Sequence, residues 1–105
     1  MNVIGQVATS FGVANIGVGR YPAGGDIFVQ LTLLDGQPLT TFSVNLRPYG
    51  GVTARDEFHV KNWDGNEQLV EPMLATGLFV DTGRRTRCEY IEAPVWFFPN
   101  PAQVP

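Results

Sequence analysis

The chain has 105 residues, of which 44% are hydrophobic and only 16% charged, and its formal net charge is -3. This length suffices for one hydrophobic core without metals or disulfides, so we expect a single soluble domain. The lone cysteine, Cys88, excludes a disulfide framework and favours the reducing cytoplasm. No apolar run reaches the roughly 20 residues that span a bilayer, and no secretory leader is recognisable. Because Lys and Arg total only 7, direct nucleic-acid binding is also disfavoured.

The first half of the chain has the pattern of β-structure. Apolar segments between residues 3 and 18 are interrupted by glycines, which predicts one or two bulged strands. Residues 17–26 contain four glycines and a proline, which predicts a surface loop. Strict alternation from residue 27 to 34, followed by Asp35-Gly36, predicts a hairpin over residues 27–46. Pro38 should hold the second strand at a loose or edge position.

Residues 58–61 alternate again, which predicts a short strand with Phe58 and Val60 facing inward and His59 and Lys61 facing outward. The only good helix pattern follows over residues 65–76. There Asp64 can cap the helix, Glu67 can complete a capping box, and Gly77 can end it in a left-handed conformation. Pro72 conflicts with a straight helix, so we expect a kink or a split into two short pieces.

The last third predicts a turn at residues 81–83, two strands at 86–92 and 95–98 separated by Pro94, and an extended proline-rich tail at 99–105. The domain then comprises residues 1–98. The expected fold class is α+β: an antiparallel sheet of about five to seven strands, with one short helix packed on one face.

No residue pattern predicts a metal ion or a cofactor. Residues 62–66 imitate the start of a calcium loop, but the required glycine and the final bidentate glutamate are replaced by Glu67 and Met73. Residues 19–24 have the glycine spacing of a phosphate loop without its Lys and Ser or Thr. A nucleophile formed by Cys88 and His59 remains conceivable, because Arg85 and Arg87 could activate the thiol.

Charge and aromatic residues suggest a surface for a protein partner. Basic residues gather within residues 84–87, acidic residues lie between 56 and 71, and aromatic residues crowd the C-terminal strands, where we expect at least one to be exposed. The candidate partner-binding residues are Asp56, Glu57, Asp64, Glu67, Glu71, Arg84, Arg85, Arg87 and Trp96. The arginines could equally protect the edge of a sheet from pairing with another chain.

Several short motifs resemble a family of small uncharacterised proteins carried by bacterial phages and plasmids. They are Asn45-Leu46 at a strand end, Asn66-Glu67-Gln68-Leu69 at the helix start, Gly77, the turn Asp81-Thr82-Gly83-Arg84, and Ala93-Pro94-Val95. The resemblance covers about residues 26–97 and departs at Pro72, where the family has an ordinary helix former. It brings no catalytic residues, and it implies a mobile-element protein that modulates host machinery.

Together these features predict a small protein without enzymatic activity that binds another protein in the cytoplasm of a bacterial host. The specific hypothesis is an anti-CRISPR-like inhibitor that occupies a surface of a defence effector. The alternative is a regulatory or structural accessory protein of the mobile element that forms a homodimer through an edge strand. A small hydrolase using Cys88 and His59 is the third class.

Overall fold

The structure, a computed structural model, describes residues 1–105 and has an α+β fold. Its eight strands form two antiparallel sheets of four strands each, rather than the single sheet of five to seven strands that we expected. Sheet one has the strand order β1-β2-β3-β4 and sheet two has the order β5-β6-β8-β7. The elements are β1 (Asn2–Thr9), β2 (Gly12–Arg20), β3 (Ile27–Leu33), β4 (Pro38–Thr41), β5 (Ser43–Val44), β6 (Glu57–Val60), α1 (Val70–Ala75), β7 (Val80–Cys88) and β8 (Ile91–Phe97).

Sheet one is a meander whose inner face forms half of the core. Ile27, Val29 and Leu31 are fully buried, as the alternation in β3 predicted. Val29 and Leu31 lie opposite the buried residues Val18 and Ile16 of β2. The predicted loop at residues 17–26 is wrong in its first half, because residues 17–20 complete β2 and pair with β3. Two of its glycines therefore serve the strand, and the loop begins only at Tyr21.

The chain passes from one sheet to the other at Phe42, inside the segment predicted as one hairpin strand. The Phe42 amide donates to the Val29 carbonyl of β3, and the Phe42 carbonyl accepts from the Lys61 amide beyond β6. The hairpin is therefore confirmed for β3 and β4, with Pro38 at the start of an edge strand, but it ends at Thr41. Residues 43–44 belong to sheet two because Phe42, fully buried, bonds to both sheets.

The core lies between the two sheets and contains five aromatic rings in contact, those of Phe42, Phe58, Phe79, Trp96 and Phe98. Trp96, on β8, has no exposed surface and lies 5.3 Å from Phe42 and 6.2 Å from Phe58, measured between ring centroids. Phe79 lies 6.1 Å from the same indole. The prediction that Trp96 is a surface anchor is therefore wrong, because Trp96 shares the inward alternation of the neighbouring strand residue Phe58.

The helix is shorter than predicted and is divided. A 3-10 turn at Glu67–Leu69 runs into α1, and Pro72 is the third residue of α1. An amide in the first turn of a helix has no partner within the helix, so the missing N–H of Pro72 costs little there. Asp64 does not cap the helix, because the helical segment begins only after Asn66, and Asp64 itself adopts a left-handed φ of 58°. Gly77, at φ 74°, ends the helical segment as predicted.

The C-terminal third differs from prediction in four places. The segment 86–92 is not one strand, because residues 89–90 form the turn between β7 and β8. Residues 81–83 do not end a strand but form a bulge within β7, where the register shifts between Asp81 and Arg85. Pro94 lies inside β8 instead of separating two strands, at the point where the pairing of β8 with β6 ends. The tail is not extended throughout, because residues 101–103 form a 3-10 turn and Val104 is buried in the core.

Candidate functional site

The two inner strands of sheet two, β6 and β8, are buried on both faces over residues 57–60 and 93–96, which decides where a functional surface can form. Glu57 and His59 alternate with the inward residues of β6 yet are 8% and 1% exposed. Residues 45–56, between β5 and β6, form a covering segment that lies over this outer face. A β-carbon on Gly51 would lie 2.6 Å from Leu46 Cβ and 3.2 Å from His59 Cε1, so the backbone of this segment lies directly on the imidazole. The predicted outward orientation of His59 is correct in direction but leads to a buried position.

An ion pair fastens this covering segment to the loop before β3. The Arg47 guanidinium donates from Nε (2.9 Å) and Nη2 (2.6 Å) to Oδ1 of Asp26, which is 5% exposed. Arg47 Nη2 also donates to the Thr53 carbonyl at 3.4 Å. Asn45 adds a bond from its side-chain amide to the Ala23 carbonyl. These contacts determine the path of residues 45–53.

His59 is bound to Thr86 and not to Cys88. Its Nε2 lies 2.7 Å from the Thr86 hydroxyl, while its buried Nδ1 has no protein partner. The Cys88 thiol instead lies 3.8 Å from the carbonyl oxygen of Tyr49. The structure therefore does not bring the predicted nucleophile and base together. Burial is the main reason that the pKa of His59 is lowered, with the Arg47 and Arg84 charges acting in the same direction against Asp26 and Glu57.

We expect the free energy of unfolding to fall as pH drops from 7.5 towards 5.5. His59 has a lowered pKa when folded and an ordinary value of 6.5 when unfolded, so the unfolded chain takes up a proton first. The contribution is present above the unfolded pKa and is lost as pH falls below it. Urea denaturation across this range measures the slope. Because His59 is the only histidine, His59→Gln should flatten the curve, and an unchanged slope in that variant would assign the effect elsewhere.

The predicted basic cluster is mostly neutralised within the molecule. Arg84 pairs with the buried carboxylate of Glu57 on β6, and Arg85 pairs with Asp81 across the bulge at 3.1 Å. Burial raises the pKa of Asp81, but hydrogen bonds from Arg85 and the Gly83 amide, with the Arg85 charge, outweigh it and lower that pKa overall. Arg87, directly opposite Glu92, is the one arginine of the three without an ion pair.

The predicted acidic residues do not form one patch. Asp56 and the buried Glu57 lie at the start of β6, whereas the other three follow its opposite end. Of these, Asp64 pairs with Lys61 at 3.8 Å and Glu67 accepts a bond from the Gly65 amide. Glu71, on α1, is exposed. The acidic and basic clusters of the sequence therefore do not face each other as two poles of one binding surface.

An apolar groove of about 350 Å³ opens where the covering segment leaves the outer face of sheet two uncovered. Its floor and walls come from four separate parts of the chain. Seven of the eight lining residues are hydrophobic, and three carry aromatic rings with a polar atom. The lining residues are Val44, Leu46, Tyr49, Trp63, Cys88, Glu89, Tyr90 and Ile91.

The end of this groove is the turn of the hairpin between β7 and β8. Cys88 pairs with Ile91, so Glu89 and Tyr90 alone make the turn. The Tyr90 side chain is fully exposed and Tyr49 is 71% exposed. Glu89 holds a left-handed φ of 54°, a conformation that costs free energy for a residue with a side chain. The expectation of an exposed aromatic residue in the C-terminal strands is met by Tyr90.

Local sequence patterns do not reveal this groove, because its residues are dispersed over almost 50 positions. One signal was available: the Cys-Glu-Tyr-Ile run between two strands is short enough for a two-residue turn, which would place Tyr90 at its tip. The approach of Tyr49 and Trp63 to this turn depends on the fold of the covering segment and could not be deduced from local patterns.

No three His, Cys, Asp or Glu side chains are grouped closely enough to hold a metal ion. None of the helices combines the length and apolar character needed to cross a membrane.

Comparison of the chain with family models, with curated proteins and with solved structures found no match in any of the three.

Proposed function

We propose that this chain is a small protein-binding module that acts without catalysis, and that the apolar groove is its binding surface. The observation that carries the proposal is a fully exposed Tyr90 at the tip of a two-residue turn, beside an apolar groove that also holds Tyr49 and Trp63. Tyr and Trp at the centre of an interface supply much of its binding energy, since they bury large rigid surfaces. A solvent-exposed tyrosine contributes little to the core, which favours a role in recognition.

The specific form of the proposal is an inhibitor encoded by a phage or plasmid that occupies a surface of a bacterial defence effector, as an anti-CRISPR protein does. It would act in the cytoplasm of the host cell. The resemblance of residues 26–97 to mobile-element proteins supports this form. The net charge of -3 also supports it, because defence nucleases expose basic surfaces for nucleic acid, to which an acidic protein is attracted.

Tyr90→Ala should weaken partner binding by about 30-fold, the loss typical of an aromatic hot spot. Stability should hardly change because the side chain is exposed. The measurement uses bacterial strains that each carry a single defence system and are challenged with a phage that the system restricts. Expression of the chain should restore plaques in a strain whose effector it inhibits, and binding to that purified effector is then titrated.

Phe11→Ala is the matched control, because Phe11 is an exposed aromatic residue, 57% accessible, at the turn between β1 and β2. It should retain full inhibition. If the chain restores plaques in no strain, the inhibitor hypothesis fails. If Tyr90→Ala inhibits as well as the original chain does, the groove is not the surface used.

The alternative function, an accessory homodimer, is favoured by the free edge of β1. This strand ends sheet one, and its residue Val3 is 65% exposed. The other long edge strand, β7, carries three arginines, which discourage pairing with another chain, whereas β1 has no charged residue. Light scattering tests the alternative: a stable dimer that Val3→Lys disperses would support it, and a monomer would count against it.

A further inference from the structure

The side chains of the groove indicate which chemical group of a partner it binds. This step rests on the proposal that the groove is the binding surface. Three aromatic side chains, Tyr49, Trp63 and Tyr90, line one groove together with a single carboxylate, Glu89. Aromatic faces attract organic cations, and Trp and Tyr do so most strongly. Glu89 is exposed and has no Lys or Arg within ion-pair distance. Its charge is therefore free to meet a cation from outside.

We propose that this groove binds an arginine side chain of the partner protein. The aliphatic stem of the arginine lies against Val44, Leu46 and Ile91, and the guanidinium stacks on the aromatic rings and pairs with Glu89. Arginine suits this site because its planar head is weakly hydrated, stacks on aromatic faces and can donate two hydrogen bonds to one carboxylate. A groove of about 350 Å³ accommodates a side chain of this size.

Charge disfavours the obvious alternative occupants. A purely apolar segment would leave the Glu89 carboxylate at the rim without compensation as water is excluded. A second copy of this chain would bring a net charge of -3 against another -3. Of its six arginines, a second copy could offer mainly Arg55 and Arg87, because three others form ion pairs and Arg20 donates to the Gly25 and Arg55 carbonyls. A foreign basic side chain satisfies both the aromatic rings and the carboxylate.

The probe is N-acetyl-arginine amide, compared with the uncharged N-acetyl-norleucine amide. Each is titrated into the protein while the ring signals of Tyr49 and Tyr90 and the indole signal of Trp63 are followed by NMR. The arginine compound should saturate with a dissociation constant on the order of millimolar, as expected for a single side chain. The norleucine compound should bind at least about ten-fold more weakly, because it lacks the cationic head.

Variants then separate the aromatic contribution from the electrostatic one. Glu89→Gln should weaken arginine binding by about five-fold and remove most of its salt dependence. Tyr90→Ala should abolish saturation. Asp35→Asn is the matched control, because Asp35 is an exposed carboxylate at the turn between β3 and β4 and outside the groove. It should bind the arginine compound like the original chain.

Several results would overturn the assignment. Equal binding of the norleucine compound would identify an apolar occupant, and a lack of saturation by the arginine compound would mean that the groove does not take arginine. A dimer that Tyr90→Ala disperses would identify a second copy as the occupant. If the arginine compound fails while Tyr90→Ala still abolishes inhibition of an effector, the binding surface stands and only its occupant is wrong. If the compound binds while Tyr90→Ala still inhibits, the site is real but the proposed function is wrong.

Discussion

Replacing Trp96 by alanine is expected to lower the free energy of unfolding by about 3 to 5 kcal/mol, the largest effect of any single substitution that we predict. The indole is fully buried and touches aromatic rings contributed by three other segments, at Phe42, Phe58 and Phe79. No neighbour can move far enough to fill the cavity, because each is held in its own sheet or turn. A domain of this size has a total stability of about 5 to 15 kcal/mol, so the variant should be partly or wholly unfolded at 37 °C.

Urea denaturation followed by circular dichroism measures this effect, with two further variants to interpret it. Trp96→Phe should cost only about 1 to 2 kcal/mol, because the cavity is smaller and the buried indole N–H, which has no acceptor, is removed. Trp63→Ala is the control for loss of an indole. Trp63 is partly exposed in the groove, so its loss should cost less than half as much as that of Trp96. A larger cost at Trp63 would contradict the assignment of Trp96 to the core.

Local patterns predicted those parts of the fold that depend on neighbours in sequence. The two-residue alternation of β3 identified its buried face correctly, since the side-chain direction of a strand repeats every two residues. Gly77 was identified as the helix stop because a left-handed residue there is nearly always glycine. Pro72 predicted either a kink or a split of the helix, and the helical segment is indeed split into a 3-10 turn and a short helix.

The division into two sheets could not be predicted, because it is decided at one residue. The pattern through residues 38–46 reads as one strand, and nothing local shows that Phe42 bonds to β3 on one side and to the segment after β6 on the other. For the same reason the burial of His59 was missed. Alternation shows which face a side chain is on, but only the covering segment, with Gly51 against the imidazole, decides whether that face is exposed.

The candidate partner-binding residues were chosen from charge along the chain, and most of that charge is used internally. Arg84 and Glu57 are 27 positions apart in sequence, and Arg84 lies in the bulge of β7, where it has no partner residue on β8. The groove instead combines aromatic residues that are individually unremarkable in sequence. Clusters of charge along the chain therefore did not indicate the groove, whereas the exposed Tyr90 at the turn between β7 and β8 marks its end.

One 3-10 turn of the covering segment carries both Arg47 of the buried ion pair and Tyr49 of the groove. A change in the ion pair can therefore move a residue of the groove. Arg47 begins the 3-10 turn that ends at Tyr49, so the contact that fastens Arg47 to Asp26 also places the Tyr49 ring at the groove. Gly24 allows this approach, because a β-carbon there would lie 2.1 Å from Arg47 Cδ. Any partner that depends on Tyr49 thus depends on an ion pair on the other side of the covering segment.

Arg47→Met should accordingly destabilise the fold by about 3 kcal/mol, because it leaves the Asp26 carboxylate buried without its counter-charge. The estimate lies at the low end of the usual range since the Arg47 side chain is 36% exposed. The other oxygen of Asp26, Oδ2, already has no hydrogen-bond partner, so the carboxylate has no second donor to compensate.

Adding Asp26→Asn to Arg47→Met should recover about 1 to 2 kcal/mol, because the uncompensated charge disappears. Urea denaturation of the two single variants and the double variant measures this coupling. If the double variant is less stable than Arg47→Met alone, the cost arises from lost packing of the arginine stem and not from the buried charge. Under conditions where Arg47→Met remains folded, this variant should also weaken binding at the groove. The double variant should weaken that binding only if the ion pair is needed to hold Tyr49 in place.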